Sequence, residues 1–439
     1  VPFVANSGAD RAAMLAAVGA KGIEELFADI PAARRFPKLD LPEPLSELEV
    51  LREIEAMAAR NRSSAASASF LGAGAYDHFI PSLVSAIASR GEFLTAYTPY
   101  QPEVSQGTLQ AIFEYQSMAA SLLGMEVVNA SHYDGATALA EAVLMAYHNA
   151  SGRGKVLLPA ALHPEYKAVV RTYLAAFPVQ VEEYRGDPAA VPVGADAFAL
   201  VAAYPEFEGE LRDLSAAAEK AHAAGALLIV QADPIMCSLL KSPGSMGADI
   251  VAAEGQALGN PVSFGGPYLG MLGATAKLVR KMPGRIVGEA HDREGRKGYV
   301  LTLSAREQHI RREKAVSNIC SNQGLVMLRA CVYMAAMGEC GLPAAARLCY
   351  DKAHFAAELI GKLPGFRVEN KSFFKEFLVA TPRPAEELYG KLAPRSVLPG
   401  LPLSRYYPER KNELLVCVTE KSTRSQIELL AQSLKEAAK

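Results

Sequence analysis

"DIVAAEGQALGNPVSFGGPYLG", residues 249–270, reads as an apolar strand running into a glycine-rich loop, the arrangement on which an α/β fold turns. An apolar approach, Ala248-Asp249-Ile250-Val251-Ala252, enters a turn region carrying Gly255, Gly259, Gly265, Gly266 and Gly270. An apolar strand that empties into such a loop presents its next polar residue at the carboxyl end of a sheet, where α/β proteins place functional groups. At the head of this glycine-rich loop stands Gln256, an amide, which neither attacks a carbonyl nor serves as a practical proton donor. The loop has a catalytic outline around a side chain with no nucleophile.

The pattern repeats on the upstream side. Apolar runs at KVLLP, VQVEEY, AFALVAAY and ALLIVQAD alternate with helical periodicity at PEYKAVVRTYLAAF and DLSAAAEKAHAAG. Strands that read as continuous apolar runs between helices predict a mostly parallel sheet covered on both faces. Two helices, TLQAIFEYQSMAASLLG and DGATALAEAVLMAYHNA, precede them. Residues 1–65 read as a helical and extended arm, with short amphipathic pieces, a helix starting at Ser46, and a proline-rich connection, PAARRFPKLDLPEPL. Residues 66–320 form the large α/β domain. After about residue 320 a long apolar helix, NQGLVMLRACVYMAAMG, opens a smaller C-terminal α+β domain, 321–439.

Composition narrows the function. Of 439 residues, 50% are apolar and 21% charged, with a formal net charge of -2. No general basic field exists to hold nucleic acid. Cys237, Cys320, Cys331, Cys340, Cys349 and Cys417 are too scattered for a disulfide scaffold, and no CxxC occurs. They read as reduced thiols of a cytoplasmic protein. No uninterrupted apolar run approaches the roughly 18 residues of a membrane span. Zinc-protease, Walker and dinucleotide motifs are absent.

Three strand ends carry polar residues: His163 after KVLLP, Asp233 after ALLIVQA, and Gln256. Singly, these are a loop histidine, an Asp-Pro turn and a Gln-Gly turn. Together they match pyridoxal phosphate, which needs a ring stacked on its face, a carboxylate at its pyridinium nitrogen and a Schiff-base lysine. His163 is placed to stack and Asp233 to pair, but Gln256 stands where the lysine belongs. Lys241 and Lys277 are substitute lysines by chemistry, yet both read as solvated charges at element ends.

The motifs FLTAYTPYQPEVSQGTLQAIFEYQ (93–116), NASHYDGATALAEA (129–142), SFGGPYLG (263–270), MPGRIVGE (282–289) and REQHIRREKAVSNIC (306–320) resemble the P-protein of the glycine cleavage system. The resemblance spans nearly the whole chain and is nearest to the alpha side of the two-subunit bacterial glycine dehydrogenase (decarboxylating). It implies the type I pyridoxal-phosphate-enzyme fold. It implies glycine decarboxylation with transfer of the aminomethyl group to the lipoyl arm of the H-protein. It also implies a homologous beta subunit, in an alpha2beta2 heterotetramer, that carries the cofactor covalently. On that footing His163, Asp233 and Gln256 line a vestigial pocket, and this chain completes its partner's site while being inactive alone.

Three further segments are then candidates. The proline-stiffened loop TAYTPYQPEVSQG offers Tyr97, Thr98, Tyr100 and Gln101 to the partner's active site; its competing reading is a well-packed surface loop. Arg306, Arg311, Arg312 and Lys314, with His309, form either a solvated helix face or a face that binds phosphate, carboxylate or the acidic H-protein. Gly135, Ala136 and Thr137 open a helix whose N–H groups suit a phosphate. Two other functions compete: a self-sufficient pyridoxal-phosphate homodimer (aminotransferase or lyase), and a non-catalytic scaffold subunit.

Overall fold

Ser46 begins a helix as its position predicts. In the computed structural model, which describes residues 5–61, 63, 66–150 and 152–439, its hydroxyl caps the Glu49 N–H and Glu49 returns a bond to the Ser46 backbone. This helix, α2 (Glu47–Ala58), and α1 (Gly8–Ala17) belong to a first unit, Val1–Arg62. Where GIEELFADIP predicts an amphipathic helix, a 3-10 turn over Ile23–Phe27 forms instead. Along α2, Leu48, Leu51, Ile54 and Met57 are all exposed.

The second unit, Ser63–Lys439, is built on a seven-stranded sheet. Its strands are β1 (Val127–Val128), β2 (Lys155–Pro159), β3 (Gln180–Tyr184), β4 (Ala197–Tyr204), β5 (Leu227–Ala232), β6 (Ile250–Glu254) and β7 (Gly270–Ala274). They lie in the order β1-β7-β6-β5-β4-β2-β3. Strands β2 to β6 are parallel, and β7 runs antiparallel to β6. Residues of alternating orientation feed two cores. Leu200, Leu228, Val230 and Val251 pack with α3 (Gln106–Leu123), while Val156, Val201, Ile229 and Leu272 pack under α4 (Gly135–His148) and α5 (Pro164–Leu174). Nearly all of α4 is buried, which explains its run of alanines: small side chains bring the helix close to the sheet.

Two helical segments joined at a kink, together α6 (Gly324–Gly361), follow. Among the described residues α6 alone is long and apolar enough by composition to cross a membrane, a length that counting unbroken apolar runs passes over. Gly338 (φ 60, ψ −167) breaks it. Its first half, including Met327 and Tyr333, enters the sheet core, and its second half, including Ala353 and Ile360, enters the C-terminal core. That second core covers a four-stranded antiparallel sheet containing β8 (Glu376–Ala380) and β9 (Glu413–Cys417), closed by α7 (Arg424–Ala437). Ala68 and Ser69 pair in parallel with Val397 and Leu398, so the chain just after the first unit is tied to the C-terminal part.

Candidate functional site

Register sets the site. Tyr204 lies level with Ala232, and Ala232 with Ala253, so the chain leaves β4, β5 and β6 along one row at Pro205, Asp233 and Glu254. Asp233, Glu254 and His163 line one cavity with Tyr76, Tyr166 and Phe207. Its free volume is about 70 Å³, against roughly 300–1,000 Å³ for sites that enclose a small molecule. The interior is small because the chain's own groups fill it.

The carboxylate of Asp233 is engaged on both oxygens. Oδ1 accepts from the Ile235 and Met236 N–H groups at 2.9 and 3.2 Å, and Oδ2 lies 2.6 Å from Lys375 Nζ. Burial pushes the Asp233 pKa up, but the adjacent ammonium wins and holds it below its ordinary value. Burial likewise works against the Lys375 charge, and Asp233 overrides it, so Lys375 stays protonated and is no nucleophile. The ammonium sits 3.5 Å from the centre of the Tyr76 ring and 3.1 Å from His78 Nε2. His78 therefore accepts at Nε2 and donates from Nδ1 to Glu420 at 2.7 Å, with the tautomer assigned from these partners. Cys349 donates to the same carboxylate at 3.2 Å. Lys375 is absent from the sequence reading, having no motif and lying far along the chain from Asp233.

At the head of the glycine loop, Gln256 is 1% exposed and fully paired. Its Oε1 accepts from the Tyr76 N–H at 2.9 Å, and its Nε2 donates to the Tyr76 and Asn260 carbonyls at 3.0 and 2.7 Å. The amide clamps both backbone groups of Tyr76, as a neighbouring strand does. A lysine, which only donates, is unable to make this pair of bonds. The clamp fixes the segment around Tyr76 over the cavity. Further ties come from Glu376, which accepts from the Ala73 N–H and the Tyr76 hydroxyl at 2.6 Å each, and from His163, whose Nε2 meets the Ala73 carbonyl at 3.0 Å.

His163 Nδ1 accepts from the Glu165 N–H at 3.2 Å, so Nε2 carries the proton; burial lowers its pKa, and the ring is neutral. It packs against the chain's own aromatics, edge-on to Phe207 at 4.7 Å and tilted against Tyr166 at 5.1 Å between ring centroids.

The helix start at Gly135–Thr137 is filled from within as well. Glu254 accepts from the N–H groups of Gly135 (2.8 Å), Gln256 (2.8 Å) and Leu269 (3.1 Å), and the Asp134 side chain takes the Thr137 N–H. A Cβ on Gly135 would stand 2.9 Å from Glu254 Cβ, so only glycine admits this carboxylate. Burial pushes the Glu254 pKa up to about 8 despite its three N–H donors. Lys241 and Lys277 lie at the surface, paired with Asp213 and Asp249 at 2.9 and 2.8 Å. The residues present do not fit pyridoxal phosphate: its carboxylate partner, its helix terminus and its lysine position are each taken by an internal group.

The other candidates gather on a more open face. Tyr97 is 87% exposed. With Thr98, Phe93, Asn322 and Met327 it lines a second cavity, of about 200 Å³. Gln101 is exposed. Tyr100 meets the His309 ring edge-on at 5.7 Å, so the structure joins the tyrosine loop to the basic segment. That segment is not the single helix face predicted for it. Only Gln308–Arg311 is α-helical, because Leu303 and Arg312 each adopt φ 53. Arg311, Arg312 and Lys314 are exposed and make no ion pair among the described residues, whereas Arg306 turns inward onto the Gly284 and Leu303 carbonyls. Between loop and segment lies a buried residue that sequence reasoning missed, Arg285; its only signal was its place within MPGRIVGE.

A parallel sheet closed by one antiparallel strand, with its site at the strand ends, defines the type I pyridoxal-phosphate-enzyme class. The sphingosine-1-phosphate lyase of Burkholderia pseudomallei shares this fold, with a TM-score of 0.64 at 18% identity over 93% of this chain and 94% of that one. A model described as glycine cleavage system P-protein matches residues 2–434, and the chain belongs to that family. The probable glycine dehydrogenase (decarboxylating) subunit 1 of Thermomicrobium roseum is 50% identical over 444 residues, 99% of each chain. A crystal structure of glycine decarboxylase (P-protein) in inhibitor-bound form matches with a TM-score of 0.92 at 45% identity, covering 99% of both chains.

Proposed function

We infer that this chain acts as a component of glycine dehydrogenase (decarboxylating) and contributes one wall of an active site whose cofactor is held by a homologous partner subunit. The observation that carries this reading is the filled cavity: Lys375, Glu254 and Gln256 stand where a cofactor's contacts would be. The complex decarboxylates glycine and passes the aminomethyl group to the lipoyl arm of the H-protein. Pyridoxal phosphate on the partner supplies the electron sink for that chemistry. This chain's residues bind, orient and exclude water: Tyr97, Thr98, Tyr100 and Gln101 face the partner's site, and Arg311, Arg312 and Lys314 offer charge to an anionic ligand or to an acidic carrier protein. The assembly is an alpha2beta2 heterotetramer in the cytoplasm. A homodimer bearing its own cofactor is disfavoured, because Lys241 and Lys277 are engaged at the surface.

Separate expression and co-expression test this. Each chain alone should release no carbon dioxide from glycine, and the two together should. After borohydride reduction, peptide mapping should find a pyridoxyl-lysine on the partner alone. A pyridoxyl group on Lys241, Lys277 or Lys375 would overturn the assignment.

A further inference from the structure

Arg285 is 3% exposed, yet among the described residues no carboxylate is within hydrogen-bonding distance of its guanidinium. The nearest, Glu307 Oε2, is 3.9 Å from Nε and is shared with His309 at 3.7 Å. Its hydrogen bonds go to neutral oxygens: Nη1 donates to Asn322 Oδ1 at 3.2 Å, and Nη2 to the Cys320 carbonyl at 3.0 Å and the Tyr100 hydroxyl at 3.5 Å. Among the described residues Nε has no acceptor, and neither has the nearby Asn322 Nδ2. Arg306 adds a further N–H group, at Nη1, without an acceptor among the described residues. A buried cation costs free energy unless an anion neutralises it, and a guanidinium is shaped for a carboxylate. Asn322 also lines the cavity that holds Tyr97 and Thr98, so the cationic site and the tyrosine loop share a wall.

We propose that Arg285, flanked by Tyr100 and Asn322, is the residue with which this chain anchors the carboxylate of glycine, and that Glu307 is the internal carboxylate that competes for it. The proposal rests on the two-subunit reading above. Two exchanges test it in the assembled complex, with glycine and lipoylated H-protein varied separately. Arg285→Lys keeps the charge but loses the fork. It should raise KM for glycine by about ten- to a hundredfold, the range for losing hydrogen bonds to a charged group, and leave KM for the H-protein unchanged. Glu307→Gln, which leaves the Arg285 contacts to Asn322 and Cys320 in place, should lower KM for glycine. Sedimentation velocity should show full assembly for both. Unchanged glycine KM in both variants overturns the proposal. So does loss of assembly by Arg285→Lys together with an unchanged glycine KM in the assembled Glu307→Gln complex, which would assign Arg285 to an acidic side chain of the partner. A wild-type complex that fails to decarboxylate glycine would instead overturn the underlying reading.

Discussion

At Gln256, an amide does what an amine is unable to do: it accepts from and donates to the same backbone residue, Tyr76. Gln256→Lys should therefore not restore a cofactor site. The exchange leaves the Tyr76 N–H without its acceptor and places an ammonium where exposure is 1%. It should cost about 3 kcal/mol or more of stability, read by urea denaturation. No visible cofactor absorbance should appear on soaking with pyridoxal phosphate, because Lys375 still neutralises Asp233. Stable uptake by the single variant would show that the pocket opens.

Glu254 gives a pH dependence. Its folded pKa, pushed up by burial to about 8, lies above an unfolded value of about 4.3, so the folded state retains a proton that the unfolded chain releases. The resulting stabilisation is complete below the unfolded pKa and is lost as pH rises towards 8. Thermal unfolding of the chain should show this fall between about pH 5 and 8, and Glu254→Gln should flatten it. An unaltered slope in the variant would place the titration elsewhere.

Among the elements, the parallel strands were legible because burial on both faces demands unbroken apolar runs, as in AFALVAAY and ALLIVQAD. The hairpin Ile286–His291/Lys297–Thr302 was not, since IVGEAH and KGYVLT mix polar and apolar residues without a clean alternation. His163, Asp233 and Gln256 were legible as strand-end residues. What fills the cavity was not, because Lys375 and Tyr76 reach it only through tertiary folding from distant segments. The basic segment makes a testable element: Arg311→Ala with Arg312→Ala removes exposed charges without ion-pair partners among the described residues. Tm should barely move, while KM for the H-protein rises. Tyr100→Phe separates roles within the loop. A hydroxyl acting on charge developing in the transition state should cost on the order of a hundredfold in kcat. A ground-state bond costs only about 0.5–1.5 kcal/mol, roughly two- to twelvefold. Full turnover would leave the loop as packing.

For the whole molecule, a filled pocket and an unfilled face fit together. Phe264 is 96%, Tyr97 87% and Val104 77% exposed. On the two-subunit reading proposed above, a chain whose cavity is filled by internal bonds and whose tyrosine loop is uncovered would supply one wall of a shared active site. Cofactor stoichiometry is then the decisive whole-molecule measurement. If only the partner's pockets are loaded, the purified complex should contain one pyridoxal phosphate for each pair of unlike chains, measured by alkaline release against subunit ratios from mass spectrometry. If this chain's pocket is loaded too, the value doubles. Light scattering on the same sample should give a mass of two pairs, and the ratio should stay at one per pair after dialysis against excess free cofactor. A ratio near two under those conditions would mean that Lys375 and Glu254 yield to the cofactor, and the division of labour between the chains would have to be abandoned.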